Sequence, residues 1–312
     1  MANEKHDVII VGGGVAGYAA ALYAARFGMK TIVLTDDKGG RLQYTHLIEN
    51  YPGAGSKSGP ELMATFEKQA TAFGGEIKVE KVNSIKKDAD GFTVITSKTR
   101  YNSHAVIIAT GVERRKLNVP GEDTFQNKGV SFCATCDGAL FHEKVVAIVG
   151  GSDAAAKEAL LLTEYAKKVY MIYRKDAIRA EPINKKRVDE KVNAGQIEII
   201  TNTNVLEIKG AKMMTHVILD QGYKGKKELK LDGIFIEIGG VPNTDIAKEL
   251  GVNIDKNDYI ITDKEAKTNV PGIFAAGDVT SNVWKQGIIA AAEGSFAAFS
   301  AFEYLKSKGY VS

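Results

Sequence analysis

Apolar positions in this chain gather into short runs of the β type, and glycine closes the strongest of them. Residues 8–11, VIIV, read as a buried strand: four consecutive β-branched side chains are bounded by charge on one side and by Gly12, Gly13 and Gly14 on the other. The small-residue stretch 15–26 predicts a helix, and 31–34 a second strand. The same order returns later, with a strand at 146–149, Gly150 and Gly151, a helical segment at 154–165 and a strand at 169–172. The chain therefore carries two βαβ units of the dinucleotide-binding kind.

Each unit is followed by shorter alternating strands and turns, then by a last apolar strand running into glycine, at 105–111 and 233–240. The stretches 113–122 and 239–243 predict linkers, because charge, proline and glycine replace the apolar pattern there. Beyond the second linker come a strand candidate at 259–262, the segment GIFAAG at 272–277 and an amphipathic helix at about 285–305. This tail has no glycine turn of its own, so it is expected to complete the first domain. The expected fold class is α/β, with two Rossmann-like dinucleotide-binding domains of three layers (ββα) each. Residues 1–114 and 244–312 form one, and 115–243 form the second, inserted in the first. A chain of 312 residues has the length for two such domains.

Composition narrows the function classes. The net charge of +3 is spread without a run of like charges, so neither nucleic acid nor a membrane surface is an expected partner. In MANEKHDVIIVGGG, charged residues lead into a short apolar run that glycine interrupts, which fits neither a signal peptide nor a membrane span. A cytoplasmic protein is expected. Its two cysteines stand three apart in CATC, which in a reducing compartment argues for redox chemistry over a structural staple.

Gly12, Gly14 and Gly17 form GxGxxG between strand and helix: the first permits the tight turn, the second lets backbone approach a pyrophosphate, the third allows close helix packing. In the second unit these positions are Gly150, Ser152 and Ala155. A serine at the middle position either donates to a phosphate oxygen or crowds it. Where each second strand ends, near an adenosine ribose, the units differ: Thr35, Asp36 and Asp37 against Tyr173, Arg174 and Lys175. The aspartates repel a 2′-phosphate. Arg174, Lys175 and Arg179, in YRKDAIR, invite one and favour NADPH over NADH. A CxxC pair such as Cys133 and Cys136 closes a small, reactive disulfide, and Asp137 beside it is placed to relay a proton. No metal is expected, because there is no second cysteine pair and the five histidines are scattered.

Taken in order, GGGVAG, IENYPG, IIATG, CATCDG, YRKDAIR and GIFAAGDV resemble the thioredoxin reductases of bacteria and archaea over nearly the whole chain. The resemblance implies FAD in the first domain, with Asn50 near the flavin, Thr110 and Gly111 along the FAD, Gly277 and Asp278 at the ribityl chain, and Gln286 against the isoalloxazine ring. It implies NADPH in the second domain. Cys136 would take electrons from the flavin and Cys133 would attack the disulfide of thioredoxin or a thioredoxin-like protein. The insert would rotate about the two linkers, and the protein would be a homodimer. Departures from the family's pattern are Arg41 for glutamine, Tyr173 for histidine, Lys175 for arginine and Lys285 for arginine. Two other readings stay open: a reductase of this fold fed by ferredoxin or a deazaflavin or serving a peroxidase system, and a non-catalytic FAD-binding redox sensor.

Overall fold

The computed structural model describes residues 3–312. The first part of the chain runs β1 (Asn3–Val11), α1 (Val15–Arg26), β2 (Thr31–Thr35), α2 (Gly59–Thr71), β3 (Glu76–Val79), β4 (Val82–Asp88), β5 (Gly91–Thr96) and β6 (Arg100–Ile108). Strand β7 (Val112–Arg114) leads into β8 (Val130–Ser131), α3 (Ala134–Asp137), β9 (Val145–Val149), α4 (Asp153–Leu162), β10 (Lys168–Ile172) and α5 (Pro182–Asn193). Then come β11 (Ile197–Ile200), β12 (Val205–Gly210), β13 (Met214–Tyr223), β14 (Lys226–Lys230) and β15 (Gly233–Ile236). Strand β16 (Gly240–Pro242) leads out to α6 (Asp245–Glu249), β17 (Ile273–Ala275) and α7 (Gly287–Ser307). Two compact units result: one is the chain up to Glu113 together with Val241–Ser312, the other is Arg114–Gly240. The chain passes between them along β7 and β16, which pair with each other.

In the first unit the sheet order is β3-β2-β1-β6-β5-β4, with β17 also on β6. Strand β6 divides its length between two partners. Arg100, Tyr101, Asn102 and Ser103 pair antiparallel with β5, whereas Val106, Ile107 and Ile108 pair parallel with β17. Alternate side chains of β1 bury both faces: Val8 and Ile10 pack with α1 and α7, and Ile9 and Val11 with Val82 and Val94 of the meander. Helices α1 and α7 meet almost backbone to backbone, since a Cβ on Gly294 would lie 2.2 Å from the Ala16 carbonyl oxygen. By length and composition α7 is apolar enough to cross a bilayer. Part of that apolarity goes into the core, where Ala290, Ala297, Ala298, Ala301 and Leu305 are buried.

The second unit repeats the plan. A parallel sheet of order β11-β10-β9-β15-β8 lies between α4 and α5 on one face and the antiparallel β12-β13-β14 on the other. Val146 and Ile148 of β9 join Ala155, Ala159 and Val188, while Ala147 and Val149 join Val205, Val217 and Leu229. Each half is thus a Rossmann-like α/β sandwich of three layers.

Two elements differ from the sequence reading. Residues 259–262 form no strand; Ile260 alone makes isolated bridges, to Ile254 and Thr280. The Asp255 side chain accepts the backbone N–H groups of Asn257 and Tyr259, and this local turn uses a donor that a ladder would need. Helix α7 begins at Gly287 and is apolar on its outer face as well, leaving Phe296 and Phe299 51% and 48% exposed.

Candidate active site

The turn after β1 is built for close backbone approach. Gly12 holds φ +114°, and a Cβ there would sit 2.2 Å from the Ala109 carbonyl oxygen; a Cβ on Gly17 would sit 1.9 Å from the Gly12 oxygen. Gly14 differs. A methyl group on it would touch nothing within 4 Å, and it precedes α1 with no side chain capping the first-turn N–H groups. Open space facing uncapped amides at a helix start suits a pyrophosphate.

The same unit presents Asp278 after β17. Its half-buried carboxyl accepts no hydrogen bond from the described residues; burial pushes its pKa above the ordinary value, while the positive charges of Lys285 and Arg41 oppose that rise. Such an unpartnered carboxylate fits a polyol donor set. Glu293 of α7 holds the turn that carries it, accepting from the Gly277 N–H (2.7 Å), the Thr280 hydroxyl (3.1 Å) and Asn282 Nδ2 (2.6 Å). Lys285 donates to the Thr280 carbonyl and lies 4.2 Å from the centre of the Tyr259 ring; burial lowers its pKa, against the charges of Asp278, Glu293 and Asp255. Asn50 Nδ2 donates to Gln286 Oε1 at 3.0 Å, so two residues separated by most of the chain form one amide pair. Thr110 donates its hydroxyl to the Asn243 carbonyl at 2.7 Å, and Gly111 accepts the Asn243 N–H at 3.0 Å.

In the second unit Gly150 mirrors Gly12: its φ is +151°, and a Cβ would lie 2.2 Å from the Glu237 carbonyl oxygen. Ser152 caps α4, its hydroxyl oxygen accepting the Ala155 N–H at 3.3 Å. The serine thus occupies an amide that no side chain caps at the corresponding place in α1. Arg174, Lys175 and Arg179 are exposed past the end of β10.

Cys133 and Cys136 form a disulfide, with Cα atoms 5.3 Å apart. Cys133 is half-buried and stands before α3, its Sγ accepting the Cys136 N–H at 3.1 Å; Cys136 is exposed. That N–H favours negative charge on Cys133 once the bond opens. Asp137 Oδ2 accepts the Ser131 hydroxyl at 2.6 Å, and Ser131 Oγ accepts the Cys133 N–H at 3.1 Å.

Sequence reasoning missed Ser131, Asn243 and Glu293. The first two carry no local signal. Glu293 does: it is the one charged residue between Lys285 and Glu303, in an otherwise apolar and small-residue stretch.

The pyridine nucleotide-disulphide oxidoreductase family profile matches residues 6–294. A thioredoxin reductase of Treponema pallidum is 40% identical over 306 residues, covering 97% of this chain and 98% of that protein. The crystal structure of Lactococcus lactis thioredoxin reductase superposes with a TM-score of 0.92 at 37% identity, covering 97% of this chain and 99% of that one. That of T. acidophilum thioredoxin reductase gives 0.91 at 37% identity, covering 96% and 98%. The chain therefore belongs to the pyridine nucleotide-disulphide oxidoreductase family and, within it, to the thioredoxin reductases.

Proposed function

We propose that this chain is an FAD-dependent thioredoxin-disulfide reductase that takes its electrons from NADPH. The observation that carries the reading is the Cys133–Cys136 disulfide set in a unit with a dinucleotide turn and a basic strand end, in a chain whose other unit has a second dinucleotide turn and an unpartnered Asp278. The unit ending at Glu113 and resuming at Val241 is the FAD domain, and Arg114–Gly240 is the nicotinamide domain with the redox pair. Gly12, Gly14 and Gly17 would hold the FAD pyrophosphate, Asp278 the ribityl hydroxyls, and Thr110, Gly111, Gly277, Asn50 and Gln286 the remainder. Gly150, Ser152, Ala155, Arg174, Lys175 and Arg179 would hold NADPH. When bound, the two cofactors supply a pair of electrons to the disulfide.

Cys136 receives that pair as the sulfur–sulfur bond opens, and Asp137 handles the accompanying proton. Cys133, as thiolate, attacks one sulfur of the substrate disulfide and expels the other as a thiolate. Cys136 then attacks Cys133 in the mixed disulfide, which re-forms the Cys133–Cys136 bond and releases the substrate as a dithiol. Leu140, close by in sequence and 77% exposed, offers apolar contact to thioredoxin or a thioredoxin-like protein. Tyr23, Phe296 and Phe299 are exposed aromatics on α1 and α7, and they support a homodimer formed through that face. The single pair of cysteines, committed to exchange, suits a cytoplasmic setting.

Anaerobic addition of NADPH is the direct test, followed by thioredoxin. The flavin is expected to bleach and then to recover in repeated turnovers. Bleaching only with a different donor would overturn the NADPH assignment. A single stoichiometric recovery without turnover would favour a redox sensor.

A further inference from the structure

We infer that Tyr173 sets this chain's selectivity for a 2′-phosphate on its nicotinamide nucleotide, acting as a positioning residue through Arg179. The inference rests on the reading of Arg114–Gly240 as the nicotinamide-binding unit.

Three cations stand past the end of β10, and they are not equivalent. Arg174 and Lys175 are exposed and make no side-chain hydrogen bond among the described residues, whereas Arg179 donates through Nε to the Tyr173 hydroxyl at 3.0 Å. A free arginine loses much of its side-chain freedom when it grips a phosphate. Arg179 has part of that freedom removed in advance. With Nε occupied, the edge formed by Nη1 and Nη2 remains for bidentate contact with phosphate oxygens.

The anchor is itself held. Tyr173 is only 7% exposed, and its ring covers Gly151 so closely that a Cβ there would lie 2.5 Å from the ring carbons. The Arg179 N–H donates to the Gly151 carbonyl at 2.6 Å, which ties the basic loop to the glycine turn. Asp153 Oδ1 accepts the Glu181 N–H and Asn184 Nδ2, each at 2.9 Å, and so fixes the far side of the loop.

The first unit provides an internal comparison. Thr35 stands at the position matching Tyr173, and its side chain lies against Gly13 as the Tyr173 ring lies against Gly151. The Thr35 hydroxyl donates to the Asp37 carbonyl at 2.8 Å and accepts the Asp37 N–H at 3.2 Å. In both units, then, the residue covering the second glycine secures the charged residue of the ribose-side loop. In the first unit that residue is an acid; in the second it is an arginine.

The test uses the full-length flavoprotein with Tyr173→Phe, which keeps the ring over Gly151 and removes the hydroxyl. Calorimetry with 2′,5′-ADP and with 5′-AMP separates the 2′-phosphate from the rest of the nucleotide. The expected result is a Kd for 2′,5′-ADP raised about five- to tenfold with 5′-AMP unchanged, as suits loss of one orienting bond to a charged group. KM for NADPH should rise by the same factor with kcat unchanged. An unchanged Kd in Tyr173→Phe would overturn the inference, and so would equal weakening of both ligands, which would make the ring a support of the turn alone. A wild type that binds 2′,5′-ADP no better than 5′-AMP would instead overturn the NADPH reading, and the inference with it.

Discussion

Ser131 donates its hydroxyl to the carboxylate of Asp137 at 2.6 Å, and the same oxygen accepts the N–H of Cys133. One buried hydroxyl therefore joins the backbone of the first redox cysteine to the acid beside the second. Asp137→Asn keeps the shape and removes the titratable proton. It should leave FAD content unchanged and slow disulfide turnover about 10²-fold, as loss of a positioned acid–base group does. Ser131→Ala should have the same sign and a smaller size. Stopped-flow rates across pH check this, and an unaltered profile in Asp137→Asn would reject the relay.

Unequal surroundings of the two sulfurs lead to unequal expected roles. In Cys133→Ser the remaining Cys136 should give a long-wavelength charge-transfer band with oxidised FAD, and Cys136→Ser should lack it. Absorption spectra of the two variants decide the matter. A band confined to Cys136→Ser would exchange the assignments.

With Asp278 as a ligand of FAD, the affinity for the cofactor is expected to depend on pH. Burial raises its pKa in the folded chain without FAD. Between the ordinary carboxylate value and the raised one, that fold therefore binds more protons than the unfolded chain, and its stability falls as pH rises through this window. Ribityl hydroxyls donating to the carboxylate favour its charged form, so FAD binding should expel a proton and tighten with rising pH across the same range. Calorimetry in buffers of different ionisation enthalpy measures the proton. Asp278→Asn should bind FAD about tenfold more weakly, from loss of a charged acceptor, with a flat profile. A wild-type affinity independent of pH would remove Asp278 from the FAD site.

Ser152 accepts the Ala155 N–H, an amide that a nucleotide phosphate would then have to share. Ser152→Gly should tighten NADPH and NADH by the same factor, about three- to fivefold for one amide released. The loss of the helix cap should cost only a few tenths of a kcal/mol. Parallel KM measurements check both halves of the expectation, and tightening of one nucleotide alone would contradict it.

What the sequence determined by itself was the local part of the fold. The two βαβ units were legible because strand burial, glycine turns and small-residue helices are properties of neighbouring positions; α1 spans 15–26, the stretch read from composition. The CxxC pair was legible for the same reason, since three residues of separation leave its Cα atoms 5.3 Å apart. Whether 259–262 became a strand depended on a partner, and tertiary pairing gave Ile260 only isolated bridges. The extra length of β1 back to Asn3 likewise depends on β6, whose Arg100 lies opposite it. Hydrogen bonds between distant segments decided the finer features: Asn50 with Gln286, Thr110 with Asn243, and Glu293 with the Gly277 turn. No periodicity encodes such pairs, because the bond exists only once two remote stretches are packed together. The hydrogen bond of Ser152 arose in the same way, when the backbone of α4 placed the Ala155 amide within reach of its hydroxyl.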